Sequence, residues 1–273
     1  MNYFKNKDEL RKKAVEHART MEQFYSHETL KSLRDTVIIN DIHVPEDNAL
    51  NKKYDRTKIE LVDSDTVSAI FNARERFLLS KKIAALNFAS FKNPGGMFIN
   101  GSSAQEEMLC HESNLYNILC DGYIVENFYK PNMKKLNNGM YTNSSVLTPD
   151  VLFLRNEEYI FCDVITCAAP NASTAKRYHL VSDDQINQSL HERTEAVLCT
   201  ASVANTDILI LGAFGCGVFG NDPTMVASMF LEEITGTFNG AFDTVIFAVP
   251  KGISGKNYDA FEAVLKEYLD DRE

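Results

Sequence analysis

The sequence lacks any uninterrupted apolar run near the roughly 20 residues that a membrane-spanning helix needs. Its first residues also lack the apolar segment of a secretory signal peptide. From these two absences we expect a cytoplasmic protein with no membrane partner.

Positive charge is also scarce, because 28 Lys and Arg residues stand against 38 Asp and Glu, a net charge of −10. A broad basic surface is therefore not expected, and we predict no sequence-specific binding of DNA or RNA. A small anionic ligand is still compatible with this charge, because backbone amides can hold it through short-range hydrogen bonds.

Metal-binding cysteine patterns are absent as well. None of the six cysteines is spaced as Cys-x-x-Cys, so no structural zinc site has support. Several cysteines lie in apolar runs, and we expect them to be free, buried thiols.

The 273 residues are 44% hydrophobic and 24% charged, which is typical of a globular protein. Helical periodicity and short β-branched runs alternate along most of the chain, which predicts an α/β fold with a sheet covered on both faces. We predict helices at 7–25, 27–34, 65–76, 104–119, 183–203, 223 onward and 257–269, and strands at 36–40, 59–62, 82–89, 151–154, 159–165, 207–211 and 244–249. Residues 44–58 and 166–173 are predicted loops, and 121–150 a long surface excursion.

One stretch, residues 86–107, carries the first candidate site. A strand-like run leads into Pro94-Gly95-Gly96, a small-residue loop follows, and Gln105, Glu106 and Glu107 open a helix. Glycines allow positive φ and close approach of a ligand to the backbone. Acids in a first helical turn are stabilised by about 0.3–1 kcal/mol each, so ordinary capping is an alternative to a site.

A second candidate loop, Gly215-Cys216-Gly217-Val218-Phe219-Gly220, follows a predicted strand and precedes a helix that begins at Pro223. Its Gly-x-Gly-x-x-Gly pattern allows a nicotinamide-dependent oxidoreductase as one alternative. Against it, the loop lies late in the chain, the helix begins after the last glycine, and no acid follows the next strand to bind a ribose. A glycine turn at a strand end suits a diphosphate in any case. Two such loops at one edge suggest a ligand with a diphosphate in its middle, a shape that ADP-ribose has.

The residues Asn87-Phe88-Ala89-Ser90, Pro94-Gly95-Gly96 and Ala104-Gln105-Glu106-Glu107 resemble the signature of the bacterial-type poly(ADP-ribose) glycohydrolases. The block from Leu211 to Pro223 and shorter blocks at 148–151 and 165–171 match in the same order. The family's hallmark is a glycine triplet, a short spacer and Gln-Glu-Glu. This sequence departs from it at Met97, which replaces the third glycine.

The resemblance implies a single macrodomain-like domain over 1–273, with residues 1–35 as a helical extension, and no cofactor. It implies hydrolysis of the ribose–ribose O-glycosidic bonds of poly(ADP-ribose), releasing ADP-ribose, with ADP-ribose or the polymer on modified proteins as partners.

The resemblance also implies a role for each site residue. Glu107 would be the general acid and base, and Glu106 would hold ribose hydroxyls. The ligand-binding residues would be Gly95, Gly96 and Gln105 from the first stretch and Gly215, Cys216, Gly217, Val218 and Phe219 from the second loop. The glycines and Cys216 would flank the diphosphate, and Val218 and Phe219 would pack on the ribose.

Met97 leaves the activity open. If position 97 needs positive φ, its side chain costs about 1–2 kcal/mol there and narrows the channel at the diphosphate. A non-catalytic reader of ADP-ribose and a mono-ADP-ribosyl hydrolase therefore stay as alternatives.

Overall fold

The structure is a computed structural model and describes residues 3–44, 50 and 52–269. Residues 45–49 and 51, within the predicted loop 44–58, lie outside the described residues, as do residues 1–2 and 270–273 at the ends of the predicted domain. Within the described part of the chain, no helix is both long and apolar enough to span a bilayer.

The described strands form a seven-stranded sheet in the order β1-β4-β5-β3-β6-β7-β2. Their bounds are β1 (Val37–Ile39), β2 (Lys58–Val62), β3 (Ile83–Phe88), β4 (Ser145–Arg155), β5 (Glu158–Cys167), β6 (Ile208–Leu211) and β7 (Thr244–Ala248). β1 and β4 pair antiparallel, as do β4 and β5, whereas the neighbours from β5 to β2 pair parallel. The loops that follow β3 and β6 therefore leave from the same edge of the sheet.

Helices fill the connections. They are α1 (Tyr3–Phe24), α2 (Ser26–Arg34), α3 (Thr66–Arg76), α4 (Gln105–His111), α5 (Leu115–Leu119), α6 (Gly122–Ile124), α7 (Lys130–Met133), α8 (Ala172–His179), α9 (Asp183–Val203), α10 (Pro223–Thr235) and α11 (Lys256–Leu265). A π-helical turn, Val125–Tyr129, joins α6 to α7, and short 3₁₀ turns occur at Phe98–Asn100 and Asn137–Gly139.

Two apolar cores lie on opposite faces of the sheet, as period-two alternation requires. Along β3, Ala84 and Leu86 face one core and Ile83 and Ala85 the other. The first core also contains α9, α10 and α11, and the second contains α3, α4, α5 and Ala14 of α1. The predicted sheet with both faces covered is therefore confirmed.

Several predicted elements agree closely with the structure. α9 covers the predicted residues 183–203. α10 begins at Pro223, and Asp222 caps it by accepting hydrogen bonds from the N–H groups of Thr224 and Met225. The predicted strands 151–154 and 159–165 are parts of a longer hairpin formed by β4 and β5.

The prediction of one continuous helix over 104–119 was wrong, because the helix ends at His111 and a second one, α5, begins at Leu115. Asn114 bonds to β4 instead of to the helix: its N–H donates to the carbonyl of Leu152 (3.1 Å), and its side-chain oxygen accepts from the N–H of Leu152 (3.0 Å). A strand partner thus replaces the helical hydrogen bond at this point.

The prediction that residues 121–150 form a surface excursion was also wrong. The segment contains α6, α7 and the π-helical turn, and it buries Ile124, Phe128 and Tyr129 against the second core. The predicted loop 166–173 also ends early, because Asn171 caps α8 by accepting a hydrogen bond from the N–H of Thr174.

Candidate active site

A cleft of about 640 Å³ opens at the carboxyl edge of the parallel strands. It lies between the loop after β3 and the loop after β6, the two stretches that the sequence singled out. The start of α3, the end of β7 and Tyr141 complete its walls. The position is the usual one for a ligand site in an open α/β sheet.

The loop after β3, residues 94–104, turns on two glycines with positive φ, Gly95 (62°) and Gly96 (61°). No side chain fits at Gly96, because a Cβ there would lie 2.5 Å from Oε1 of Glu107 and 2.8 Å from Oε2 of Glu106. At Gly95 a Cβ would lie 2.7 Å from the ring of Tyr116. Gly96 therefore lets both acids approach the loop, and Gly95 lets the loop pack on α5.

Met97 does not have the backbone strain that we considered from the sequence. Its φ is −110°, a value open to any residue, and its side chain is 48% exposed at the cleft. The backbone N–H of Met97 donates a 2.8 Å hydrogen bond to Oε1 of Glu107. The missing third glycine therefore removes nothing that the backbone needs.

Glu106 and Glu107 use their carboxylates outside their own helix, so ordinary capping does not account for them. Oε2 of Glu106 accepts from the N–H of Ser90 (2.7 Å), and its Oε1 accepts a longer bond from the side-chain amide of Asn87 (3.4 Å). Oε1 of Glu107 accepts from Met97, whereas its Oε2 has no partner among the described residues. The acids have different partners, as expected for adjacent helical residues, yet both reach Gly96.

Both acids are buried, with 3% of Glu106 and 6% of Glu107 exposed. The pKa of Glu106 is raised to about 8, mainly by burial and also by the charge of the neighbouring Glu107, while the hydrogen bonds from Ser90 and Asn87 oppose the shift. Two adjacent buried carboxylates are costly to a fold, and such pairs mark functional sites.

Gln105 holds α4 against β3. Its Oε1 accepts from the N–H of Phe88 (2.8 Å), and its amide nitrogen donates to the carbonyl of Leu86 (2.8 Å) and to the hydroxyl of Thr66 (3.1 Å). Both amide hydrogens are therefore engaged by the protein. The side chain lines the cleft, but its hydrogen bonds fix the start of the helix that carries the two acids.

The loop after β6, residues 212–222, leaves backbone amides free. Within the described residues, the N–H groups of Gly217, Val218 and Phe219 have no acceptor. Asn221 fixes the loop by donating to the carbonyls of Pro170 (2.8 Å) and Gly215 (3.2 Å). Successive unpaired N–H groups at a glycine turn form a cradle for an anion.

Comparison with known proteins identifies the family. Residues 2–156 match the family described as microbial-type PARG, catalytic domain, where PARG is poly(ADP-ribose) glycohydrolase. The chain belongs to this family. No match was found among curated proteins.

Solved structures of glycohydrolases are also similar to the chain. The Deinococcus radiodurans poly(ADP-ribose) glycohydrolase in complex with ADP-ribose is 32% identical, with a TM-score of 0.77 over 88% of this chain and 97% of that one. The Thermomonospora curvata enzyme is 28% identical, with a TM-score of 0.82 over 94% of this chain and 99% of that one. Its complex with the inhibitor ADP-HPD is 29% identical, with a TM-score of 0.81.

The alternative of a nicotinamide-dependent oxidoreductase is wrong, because the order of the strands in this mixed sheet is not that of the Rossmann fold.

An aromatic wall closes one end of the glycohydrolase cleft. The ring of Tyr141 stacks on Phe91 (centroids 4.3 Å apart, planes 12° apart) and meets Phe219 edge-on at 6.0 Å. Tyr141 lies in the segment predicted as a surface excursion, and no sequence signal marked it. Phe91 lies within the signature stretch but was not singled out.

The structure brings most of the predicted site residues together. The cleft is lined by Gly96, Gln105, Glu106, Glu107, Gly215, Gly217, Val218 and Phe219. Gly95 and Cys216 are the predicted residues that do not line it. Cys216 packs against the first core, and burial raises the pKa of its thiol to about 12, which fits the prediction that it is no nucleophile.

Proposed function

We propose that the chain hydrolyses the ribose–ribose O-glycosidic bonds of poly(ADP-ribose) and releases ADP-ribose. The observation that carries this proposal is the carboxylate of Glu107, which is buried in the cleft that Gly217, Val218 and Phe219 also line and which keeps Oε2 unpaired among the described residues. Membership of a glycohydrolase family and the likeness to an ADP-ribose complex support it.

In this proposal the diphosphate lies on the free N–H groups of Gly217, Val218 and Phe219. Hydrogen bonds from oriented amides hold an anion without a nearby cation, which suits a chain with a net charge of −10. The ribose next to the scissile bond packs against Val218 and Phe219, and Glu106 receives its hydroxyls.

Glu107 acts as general acid and then as general base. Its Oε2 protonates the leaving oxygen as the bond to the anomeric carbon breaks through an oxocarbenium-like transition state. The same carboxylate then takes a proton from water, whose oxygen bonds to the anomeric carbon and completes ADP-ribose. Such catalysis contributes roughly 10²–10⁴-fold.

The proton for the first step comes from the acid pair. Because the pKa of Glu106 is raised to about 8, Glu106 holds a proton at neutral pH that an exposed glutamate would lose. We propose that Glu106 shares this proton with Glu107 during the reaction. Burial, which raises the pKa, thus supplies the acid form that the leaving oxygen needs.

We also infer the domain organisation, the cellular location and an alternative substrate. The described helices α1 and α2 contact the core, which supports one domain over 1–273 with residues 1–35 as an extension. The six cysteines are free thiols, which fits a reducing, cytoplasmic location. The second candidate activity is hydrolysis of single ADP-ribose units from a modified protein. Met97 supports it, because its side chain lines the same cleft as Glu107 and changes the shape of that part of the cleft.

The test is incubation of the chain with labelled poly(ADP-ribose) and, separately, with a mono-ADP-ribosylated protein. We expect ADP-ribose to be released from the polymer. Release from the mono-modified protein alone favours the second candidate. Calorimetric binding of ADP-ribose without release from either substrate contradicts both and indicates a reader.

A further inference from the structure

A second cleft lies beyond the aromatic wall. It encloses about 910 Å³ between the segment 131–144 and helix α9, and Tyr141 lines both it and the catalytic cleft. Tyr141 is therefore common to the linings of the two spaces.

Side-chain amides dominate the lining of the second cleft. Five of them are Asn132, Asn138, Asn143, Gln185 and Gln188. Lys135 supplies a flexible cation, and three acids, Asp41, Asp184 and Glu192, outnumber it at the exposed margin. This mixture suits a ligand recognised by hydrogen bonds more than one drawn in by charge.

Two buried polar residues line this cleft, and one of them, Asn132, has an amide nitrogen without a partner among the described residues. Arg193, 1% exposed, donates to Asn143 (2.9 Å) and to the carbonyls of Met140 (3.1 Å) and Ala168, but no carboxylate of the described residues lies within ion-pair distance. Asn132 is 4% exposed, and its amide nitrogen has no acceptor among the described residues. Buried polar groups without partners are uncommon in native proteins and ask for an explanation such as a ligand.

The segment 137–141, which lines the second cleft, has an uncommon backbone conformation, most notably at Tyr141. Asn137, Asn138 and Tyr141 all have positive φ (44°, 53° and 62°) although none is glycine. Such residues persist only where their surroundings determine them, and they cluster at functional sites. Arg193 supplies part of that constraint through its hydrogen bond to Met140.

Tyr141 stands at the end of the catalytic cleft that contains the acids. The loop residue Ser90 donates to Glu106, and the next residue, Phe91, stacks on Tyr141. The glycosidic bond and its leaving group therefore belong at this end, and the second cleft is the space that the leaving group meets next.

We propose that the second cleft binds the adenosine of the leaving unit of poly(ADP-ribose), a proposal that rests on the proposed function. In the polymer, the leaving oxygen is the 2′ hydroxyl of an adenosine ribose, so an adenine ring lies one sugar away from the broken bond. Asn and Gln amides pair with the adenine edge, and Lys135 reaches the phosphates that follow.

Binding to a catalytically silent chain tests the proposal. In a Glu107→Gln background, calorimetry compares ADP-ribose with a purified dimer of two ADP-ribose units. The chain should bind the dimer about tenfold more tightly, equivalent to about 1.4 kcal/mol, because the second unit adds hydrogen bonds. Adding Lys135→Ala and Gln188→Ala to this background should weaken binding of the dimer at least threefold, while binding of ADP-ribose stays unchanged.

The matched control is Lys134→Ala with Asn187→Ala in the same background. These two residues neighbour the tested pair and lose the same charge and amide, yet they do not line the cleft. The control should leave the dimer's advantage unchanged. If ADP-ribose itself does not bind, both the proposed function and this inference are wrong.

Other outcomes overturn the inference alone. One is ADP-ribose binding with no added affinity for the dimer, and another is an equal effect of the two double variants. In a third outcome, the variant with Lys135→Ala and Gln188→Ala binds a peptide that carries one ADP-ribose more weakly but binds the dimer as before. The cleft would then recognise the modified protein and not the adenosine of the leaving unit.

Discussion

The two glycine loops of the catalytic cleft differ at three successive backbone amides. In the loop after β3, three successive N–H groups bond within the protein: that of Gly96 donates to the carbonyl of Asn93 (3.0 Å), that of Met97 to Oε1 of Glu107 (2.8 Å) and that of Phe98 to the carbonyl of Gly95 (3.1 Å). The loop after β6 leaves three successive N–H groups without an acceptor within the described residues.

This difference shows that two loops with similar glycine patterns can have different roles in one site. From the sequence, both loops looked like cradles for one diphosphate. In the structure, the first loop orients acids and the second offers N–H groups to an anion. We therefore assign the chemistry to the first loop and the grip on the diphosphate to the second, and mutations should separate the two.

The largest effect is expected from Glu107→Gln. The amide keeps an oxygen for the N–H of Met97 but can neither donate a carboxylic proton nor accept one, so turnover of poly(ADP-ribose) should fall by roughly 10²–10⁴-fold. Radiolabelled release measures turnover, and calorimetry should give a Kd for ADP-ribose within about twofold of the parent. Glu22→Gln, at an exposed position on α1, is the matched control. Turnover at the parent rate in the Glu107 variant would remove the acid from the mechanism.

The pH dependence should be the next largest effect. Glu106 has a pKa raised to about 8, mainly by burial, so it is protonated below that pH and ionised above it. We expect kcat/KM to fall about tenfold for each pH unit above 8, the slope for loss of one essential proton. A rate profile that is flat to pH 9.5 would contradict the shared proton.

The same shift predicts a change in stability. Because the folded pKa of Glu106 lies above the unfolded value of 4.5, the stability that its protonated form contributes is fully present below pH 4.5 and falls as the pH rises to about 8. Glu106→Gln cannot ionise, so its Tm relative to the parent should increase over that range and level off above it. Thermal scans at four pH values measure this. A constant difference in Tm would show that the acid is not held in its protonated form.

Two glycine substitutions test the assignment of the loops. Gly215→Ala forces a Cβ to 2.4 Å from the amide of Asn221 at a φ of 72°, which should shift the second loop and raise the Kd of ADP-ribose about tenfold. Gly95→Ala presses on Tyr116 at a φ of 62° and should lower kcat more than it raises Kd. Gly122→Ala, which meets no protein atom within 4 Å and does not line the cleft, is the control for folding. The reverse pattern of Kd and kcat would exchange the roles of the loops.

The smallest effect is expected from Met97→Gly. With a φ of −110°, Met97 has no strain to relieve, and glycine should only lower the free energy of unfolding by about 0.5–1 kcal/mol. Turnover of poly(ADP-ribose) should stay within about threefold of the parent, with Met97→Ala as control. A tenfold gain in turnover would mean that the methionine obstructs the substrate.

Hydrophobic periodicity and the turn and capping residues predicted the sheet, its two covered faces and the capped helix at Pro223, because these features depend on local sequence patterns. Asn114, the break after α4 and the buried turn around Tyr129 were missed, because each depends on a partner far along the chain. The two acids were found through the signature. Tyr141 was not, because its place at the cleft depends on the fold and on the buried Arg193.

A crystal structure of the Glu107→Gln variant with ADP-ribose tests the division between the loops most directly. It should place diphosphate oxygens about 3 Å from the N–H groups of Gly217, Val218 and Phe219, and the anomeric carbon beside position 107. A diphosphate held instead by the loop after β3, or a ligand outside the cleft, would contradict the account.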